Sequence, residues 1–275
     1  MIFPRLIWAS LAAALLVGTV QSGIQQWQAV PIVLAAEVYE GQRLDAPPAP
    51  AAVPAHVHAE GTAPELAHAH GAAKEWTPAE GVERIFWTWT ANVLHAFSMA
   101  LLVFAVMGVC VWRGTAVRSL QLGFLVAAAG WLSFHFWPSL GLPAEIPGMD
   151  AARLGSRQGW WVLAAVSAGL ACGLLAVWRS PLCWAAAAAW LALPFVVGVP
   201  LITADPLAGF SGDAQAQLRE LGTQFVWATT WVSLSFWVSM GLVCGAAFQR
   251  WLRPVLQATF ESSKSNAPVA KAVNP

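Results

Sequence analysis

Charge is scarce in this sequence of 275 residues: 10% of positions are Asp, Glu, Lys or Arg, where a soluble domain carries about 25%. Water is therefore excluded as the solvent for most of the chain. Lysine occurs only at Lys74, Lys264 and Lys271, and no Lys/Arg run exceeds two residues. That excludes a nucleic-acid surface and a polybasic lipid anchor. The phosphate-binding pattern G-x-x-x-x-G-K-[ST] is absent, so this chain binds no ATP. No Asp or Glu falls inside a long apolar stretch, which argues against a carboxylate proton relay within the membrane. The cysteines, Cys110, Cys172, Cys183 and Cys244, all lie in apolar segments. They read as small core residues rather than a disulfide framework. Nothing points to an enzyme.

What the sequence has instead is hydrocarbon: 58% of residues are hydrophobic, with 17 Trp and 22 Gly. Spanning a bilayer takes about 20 apolar residues. Six stretches approach that length, at 6–24, 87–112, 119–138, 160–178, 182–200 and 224–249. The expected fold is an all-α, polytopic integral membrane bundle of about six transmembrane helices. The stretch 182–200 follows Pro181 and carries Pro194 and Pro200, so it is kinked or short, and five spans is the alternative count. Residues 1–260 form one membrane domain with a long outer loop at 25–86, disordered over 45–75 by its Pro, Ala and His content. Residues 261–275 form a disordered tail. Residues 1–24 also fit a signal peptide, with Arg5 as its basic region.

Orientation follows from the basic residues. With the N-terminus inside, Arg5, Arg113, Arg118, Arg179, Arg250, Arg253, Lys264 and Lys271 are cytoplasmic, and every acidic residue except Glu261 is outside. Positive charge on the cytoplasmic side is the expected sign. Both termini are then cytoplasmic, and the protein is a multi-pass membrane protein.

Few residues in such a chain can carry chemistry. The outer loop holds two H-x-H pairs, His56/His58 and His68/His70, with Glu60 and Glu65 between them. Imidazole and carboxylate are ligand types that borderline divalent metals accept, and capture by neutral imidazole weakens below about pH 6.5. An incidental His content in a low-complexity linker is the alternative. Glu37 and Glu40, at i and i+3, would share a face if the first helix extends outward. Thr88, Asn92, His95 and Met99 form a stripe along the second span. An intramembrane His is costly in lipid and belongs in the bundle interior. His135 lies in the same half of the bilayer, as do Gln21 and Gln25. These two His are joined into one site in the leading reading; Thr229, Thr230 and Ser233 of the last span line a path or bond between helices.

Four segments, "VPIVLAAEVYEG", "EWTPAEGVERIFWTWTANVLHAFSMALL", "FWPSLGLPAEIPG" and "RQGWW", together resemble the CbtA family of predicted cobalt transporter subunits. The matching positions are Glu37, Glu40, Trp76, Pro78, Glu80, Gly81, Glu83 and Arg84. They continue with Pro138, Gly141, Leu142, Pro143, Glu145, Pro147, Gly148, Arg157 and Gln158. The resemblance implies a bacterial cobalt-uptake subunit working beside a small His-bearing membrane subunit, CbtB, with cobalt as substrate and no permanently bound cofactor. One departure is Phe195, in "LPFVVGVP", where the family pattern leads one to expect His. Two readings from other classes remain at this stage: a b-type haem protein with His95 and His135 as axial ligands, and a membrane scaffold that transports nothing.

Overall fold

The computed structural model describes residues 2–43, 78–79 and 81–265, with side chains up to 259. Among the described residues every regular element is helical. Helix α1 is Phe3–Gln28, α2 Val30–Glu37, α3 Val82–Trp112 and α4 Ser119–Trp131. A π turn, Leu132–Phe136, joins α4 to the short α5, Trp137–Ser139. Then come α6 Leu154–Val177, α7 Pro181–Val197 and α8 Gly212–Ala247, with a second π turn, Phe248–Leu252, leading into α9, Arg253–Ser265. Prolines open α1, α2 and α7, where a missing N–H costs nothing. Ser180 caps α7 by accepting from the Cys183 N–H, and Gly198 ends it at φ 99°.

Both π turns have a local cause. Proline cannot donate to the carbonyl four residues back and its ring clashes with it. Pro138 stands four residues after Phe134, and Pro254 four after Arg250, the middle residues of the two turns. Widening the helix there accommodates each ring without breaking the rod.

Among the described residues five helices are long and apolar enough to cross a membrane: α1, α3, the α4–α5 rod, α6 and the α8–α9 rod. The segment expected at 182–200 is α7, 17 residues, or about 26 Å, short of a hydrocarbon core of about 30 Å. Its two ends nonetheless lie at opposite ends of the bundle. The Leu191 carbonyl accepts from Trp137 Nε1 at 3.1 Å, and the Pro194 carbonyl from Trp160 Nε1 at 2.8 Å. Those indoles belong to the last turn of the α4–α5 rod and the first turns of α6, so α7 returns the chain to the end from which α6 set out.

Glycine sets how closely the helices approach. A Cβ on Gly18 of α1 would lie 2.8 Å from Val93 Cα of α3. On α8, Gly241 and Gly245 form a G-x-x-x-G pair against Gly123 of α4, where a Cβ would meet the Gly241 carbonyl oxygen at 2.5 Å. Close backbone contact of this kind drives helix association where lipid removes the hydrophobic term. Around these seams lies a core of Ala, Val, Phe and Met from α1, α3, α4 and α8, with Met107, Met240, Cys244 and Phe248 fully buried. Cys244 thus packs as expected, while Cys110, Cys172 and Cys183 are half-buried and free.

Beyond one end of the bundle the chain builds a cap. Ala36, Ile146, Leu207, Phe210 and Leu218 are buried together there, with Tyr39, Met149 and Phe225 against them. The cap draws on α2, the α5–α6 connection, the α7–α8 connection and the first turns of α8. It was not anticipated as a folded unit, because hydropathy windows stop at the membrane surface while α8 begins twelve residues before its expected span at 224.

Candidate functional site

Along the α1–α3 seam a run of polar residues extends from the cap toward the middle of the bundle. Trp89 Nε1 donates to Thr19 Oγ1 at 3.0 Å. One turn on, Asn92, 8% exposed, donates through Nδ2 to Ser22 Oγ at 2.9 Å and to Gln25 Oε1 at 2.6 Å. Gly18 makes this possible by letting the backbones approach, and its carbonyl accepts from Ser22 Oγ. Gln21 joins the same seam with its Oε1 buried and without a hydrogen-bond partner. Thr88, by contrast, turns its hydroxyl back to the Arg84 carbonyl of its own helix.

Replacing Asn92 with Ala removes the donor for Gln25 and Ser22. The expected loss is about 1 kcal/mol, since interhelical hydrogen bonds in membranes contribute about 0.6 and at most about 1.7 kcal/mol. Reversible unfolding in mixed detergent micelles measures it. An unchanged midpoint would show that the cluster bears no load.

The stripe read from sequence splits between two neighbours. Asn92 faces α1, while His95 is exposed at the margin of α8, its ring 5.2 Å from that of Phe236. Met99 packs against the core. His135 sits in the first π turn and its Nε2 lies 3.3 Å from Thr230 Oγ1. Thr230 also donates to the Val226 carbonyl, which makes it the acceptor from a protonated Nε2. Thr230 and Phe236 are six residues apart on α8, so the two imidazoles meet that helix about 9 Å apart along its axis and about 120° apart around it. No hydrogen bond or ring contact joins them. The shared two-histidine site and the axial pair for a haem are therefore not assembled in this arrangement; the imidazoles occupy successive levels. Among the described residues no three His, Cys, Asp or Glu side chains converge to hold a metal ion.

At the cap, acidic residues are matched to arginines. Arg84 holds Glu37 at 2.7 Å, Arg157 holds Glu145 at 2.5 Å, Arg43 holds Asp150 at 2.5 Å, and Arg219 pairs with Asp205. Glu37 ends α2 and Glu40 lies beyond it in a 3-10 turn, so the two carboxylates are not a helical pair. Glu145, Asp150 and Asp205 line a cleft of about 570 Å³ together with Pro143, Leu201 and Arg219. Sequence reasoning missed both cleft and pairs. The signal present was opposite charge at the motif positions Glu37/Arg84 and Glu145/Arg157, whose separations are too long for pairing within one helix. Phe195 stands edge-on to Trp137 at 5.7 Å and to Trp160 at 5.6 Å, so at this position the chain has an aromatic lock. His56, His58, His68 and His70 lie outside the described residues, as do Trp76 and Glu80.

The sequence model of one family, described as probable cobalt transporter subunit (CbtA), matches residues 3–249. No curated protein and no solved structure matches the chain.

Proposed function

The chain belongs to the CbtA family of probable cobalt transporter subunits, and from that premise we propose that it is the membrane subunit through which a bacterial inner membrane takes up cobalt. The cap faces outward and both termini face the cytoplasm. Supporting this, Arg5, Arg113, Arg118, Arg179, Arg250 and Arg253 all belong to the end opposite the cap.

The observation that carries the reading is the descent of ligand-type groups from the cap into the bundle: Gln21, Gln25 and Asn92 on one seam, then His135, then His95. Imidazole nitrogen suits a borderline divalent ion, while amide oxygen is a harder, weaker donor to it. Cobalt is cargo, captured outside by His56, His58, His68, His70 and Glu40, since Glu37 is already engaged by Arg84. His95, exposed at the bundle surface, is costly in lipid. Its position supports a second subunit, the small His-bearing CbtB-like partner, covering that margin of α3 and α8. No cofactor is held permanently, and the activity is transport rather than catalysis.

The test is cobalt accumulation by metal-depleted cells given trace cobalt, with the chain alone, with its partner, or with neither. A cobalt-selective rise is expected with both subunits, and no rise in any strain would sink the reading. Loop capture has its own signature. An imidazole of ordinary basicity is about tenfold depleted in its neutral form at pH 5.5, so apparent cobalt affinity falls between pH 7.5 and 5.5. With the four loop histidines changed to Ala, that dependence should vanish and affinity at pH 7.5 fall at least about tenfold. An unchanged pH profile in the quadruple variant would remove the loop from the mechanism.

A further inference from the structure

Among the described residues, ion pairs occur at one end of this protein and not at the other. Every ion pair between described residues lies at the cap. At the opposite end Arg5, Arg113, Arg118, Arg179 and Arg250 are exposed, and none of them has a carboxylate partner among the described residues. Arg253 differs: its guanidinium is committed to the Val117 carbonyl and Ser119 Oγ, both at 3.1 Å, and it braces the α3–α4 turn.

One of the exposed arginines is held across to the α6–α7 turn by a specific contact. The Arg113 guanidinium lies 5.9 Å from the centre of the Trp178 ring. Arg179 is the next residue, at the start of the α6–α7 turn. This contact links two parts of the bundle that otherwise pack elsewhere, since α6 and α7 pack on each other and on the α4–α5 rod, while α3 packs chiefly on α1. Three exposed indoles mark the same level: Trp112 at 67%, Trp178 at 51% and Trp184 at 61%. Indoles at a helix end sit among lipid headgroups. Two guanidiniums beside them present forked donors suited to phosphate oxygens.

We propose that Arg113, held over the Trp178 ring, and Arg179, the residue that follows that indole, form a headgroup site for an anionic glycerophospholipid between α3 and the α6–α7 hairpin. The phosphodiester accepts from both guanidiniums, and the acyl chains run along the apolar flank of the bundle. The charge is complementary, and the level is where a lipid phosphate already resides. Lipid binding at these arginines requires no metal.

The experiment is native mass spectrometry of the full chain released from nanodiscs of phosphatidylglycerol and phosphatidylcholine, counting retained lipids. The wild type is expected to retain phosphatidylglycerol selectively. Each arginine near an anionic surface contributes about fivefold to binding, so R113Q/R179Q should lower that selectivity at least about thirtyfold, while R5Q, a single arginine at the same end, lowers it by no more than about fivefold. Inorganic phosphate in the buffer should not displace the lipid. Equal retention by R113Q/R179Q and wild type would overturn the site. Displacement by free phosphate would overturn the lipid assignment. Should the double variant fail to fold, R179Q alone, whose guanidinium holds nothing else among the described residues, must still lose selectivity.

Discussion

Cells expressing the H95A/H135A variant together with the partner subunit should accumulate no more cobalt than cells lacking the chain, a fall of at least about tenfold where ligand shells of this kind govern metal affinity. Each single substitution should give a partial loss, because the imidazoles occupy different levels of α8 and neither replaces the other. The result would be free of a folding artefact for a physical reason. Thr230 keeps its own bond to the Val226 carbonyl when His135 is removed, and His95 makes only a ring contact with Phe236. Neither substitution strands a buried polar group, and replacing an exposed intramembrane His with Ala is favourable in lipid. Metal content by mass spectrometry, with membrane levels of the chain measured in parallel, decides the matter. Wild-type cobalt in the double variant at equal protein level would eliminate a histidine path.

The largest effect on stability is expected at Gly123. Any side chain there points its Cβ at backbone, 2.5 Å from the Gly241 carbonyl oxygen and 2.8 Å from Gly245 Cα. Backbone cannot rotate away as a side chain can, so G123V must push α4 from α8. Overpacking of this kind costs about 1–3 kcal/mol even where side chains yield, and at a backbone-to-backbone seam the upper end is expected. A marked drop in melting temperature in detergent, with loss of folded yield, is the anticipated readout. G173A is the matched control. Gly173 lies in α6 with nothing within 4 Å of a new Cβ, so the change should be neutral or gain up to about 1 kcal/mol of helix propensity. Equal melting temperatures for G123V and wild type would refute the close α4–α8 seam.

The spans were legible because hydrocarbon length is a one-dimensional property. The segment 119–138 corresponds almost residue for residue to the α4–α5 rod. Where polarity resumes, that measure goes blind, and so the first turns of α8 and the whole cap were missed. Prolines were read as kinks for α7, yet Pro138 and Pro254 carried an equally local message about the π turns that went unused. In the site, the spacing of Thr88, Asn92, His95 and Met99 gave a stripe, but spacing cannot say which neighbour each member meets. Two helices share that stripe, with Asn92 committed to α1 and His95 to α8. The pairing of Glu37 with Arg84 and of Glu145 with Arg157 is purely tertiary, and only the positions, not the partnership, were visible in the chain.

Helix α8 runs from Gly212 to Ala247 without a proline or a break, about 54 Å in one piece. Its first turns are clamped into the cap through Leu218, while Gly241 and Gly245 are clamped to α4 near the other end. Such a helix is a strut fastened at both extremities, with no joint between them. The part of the cap that α8 carries therefore cannot swing on a joint within this helix. If it shifts as an ion enters, it must tilt the strut, and the tilt reappears at the Gly123 seam on the far side of the membrane.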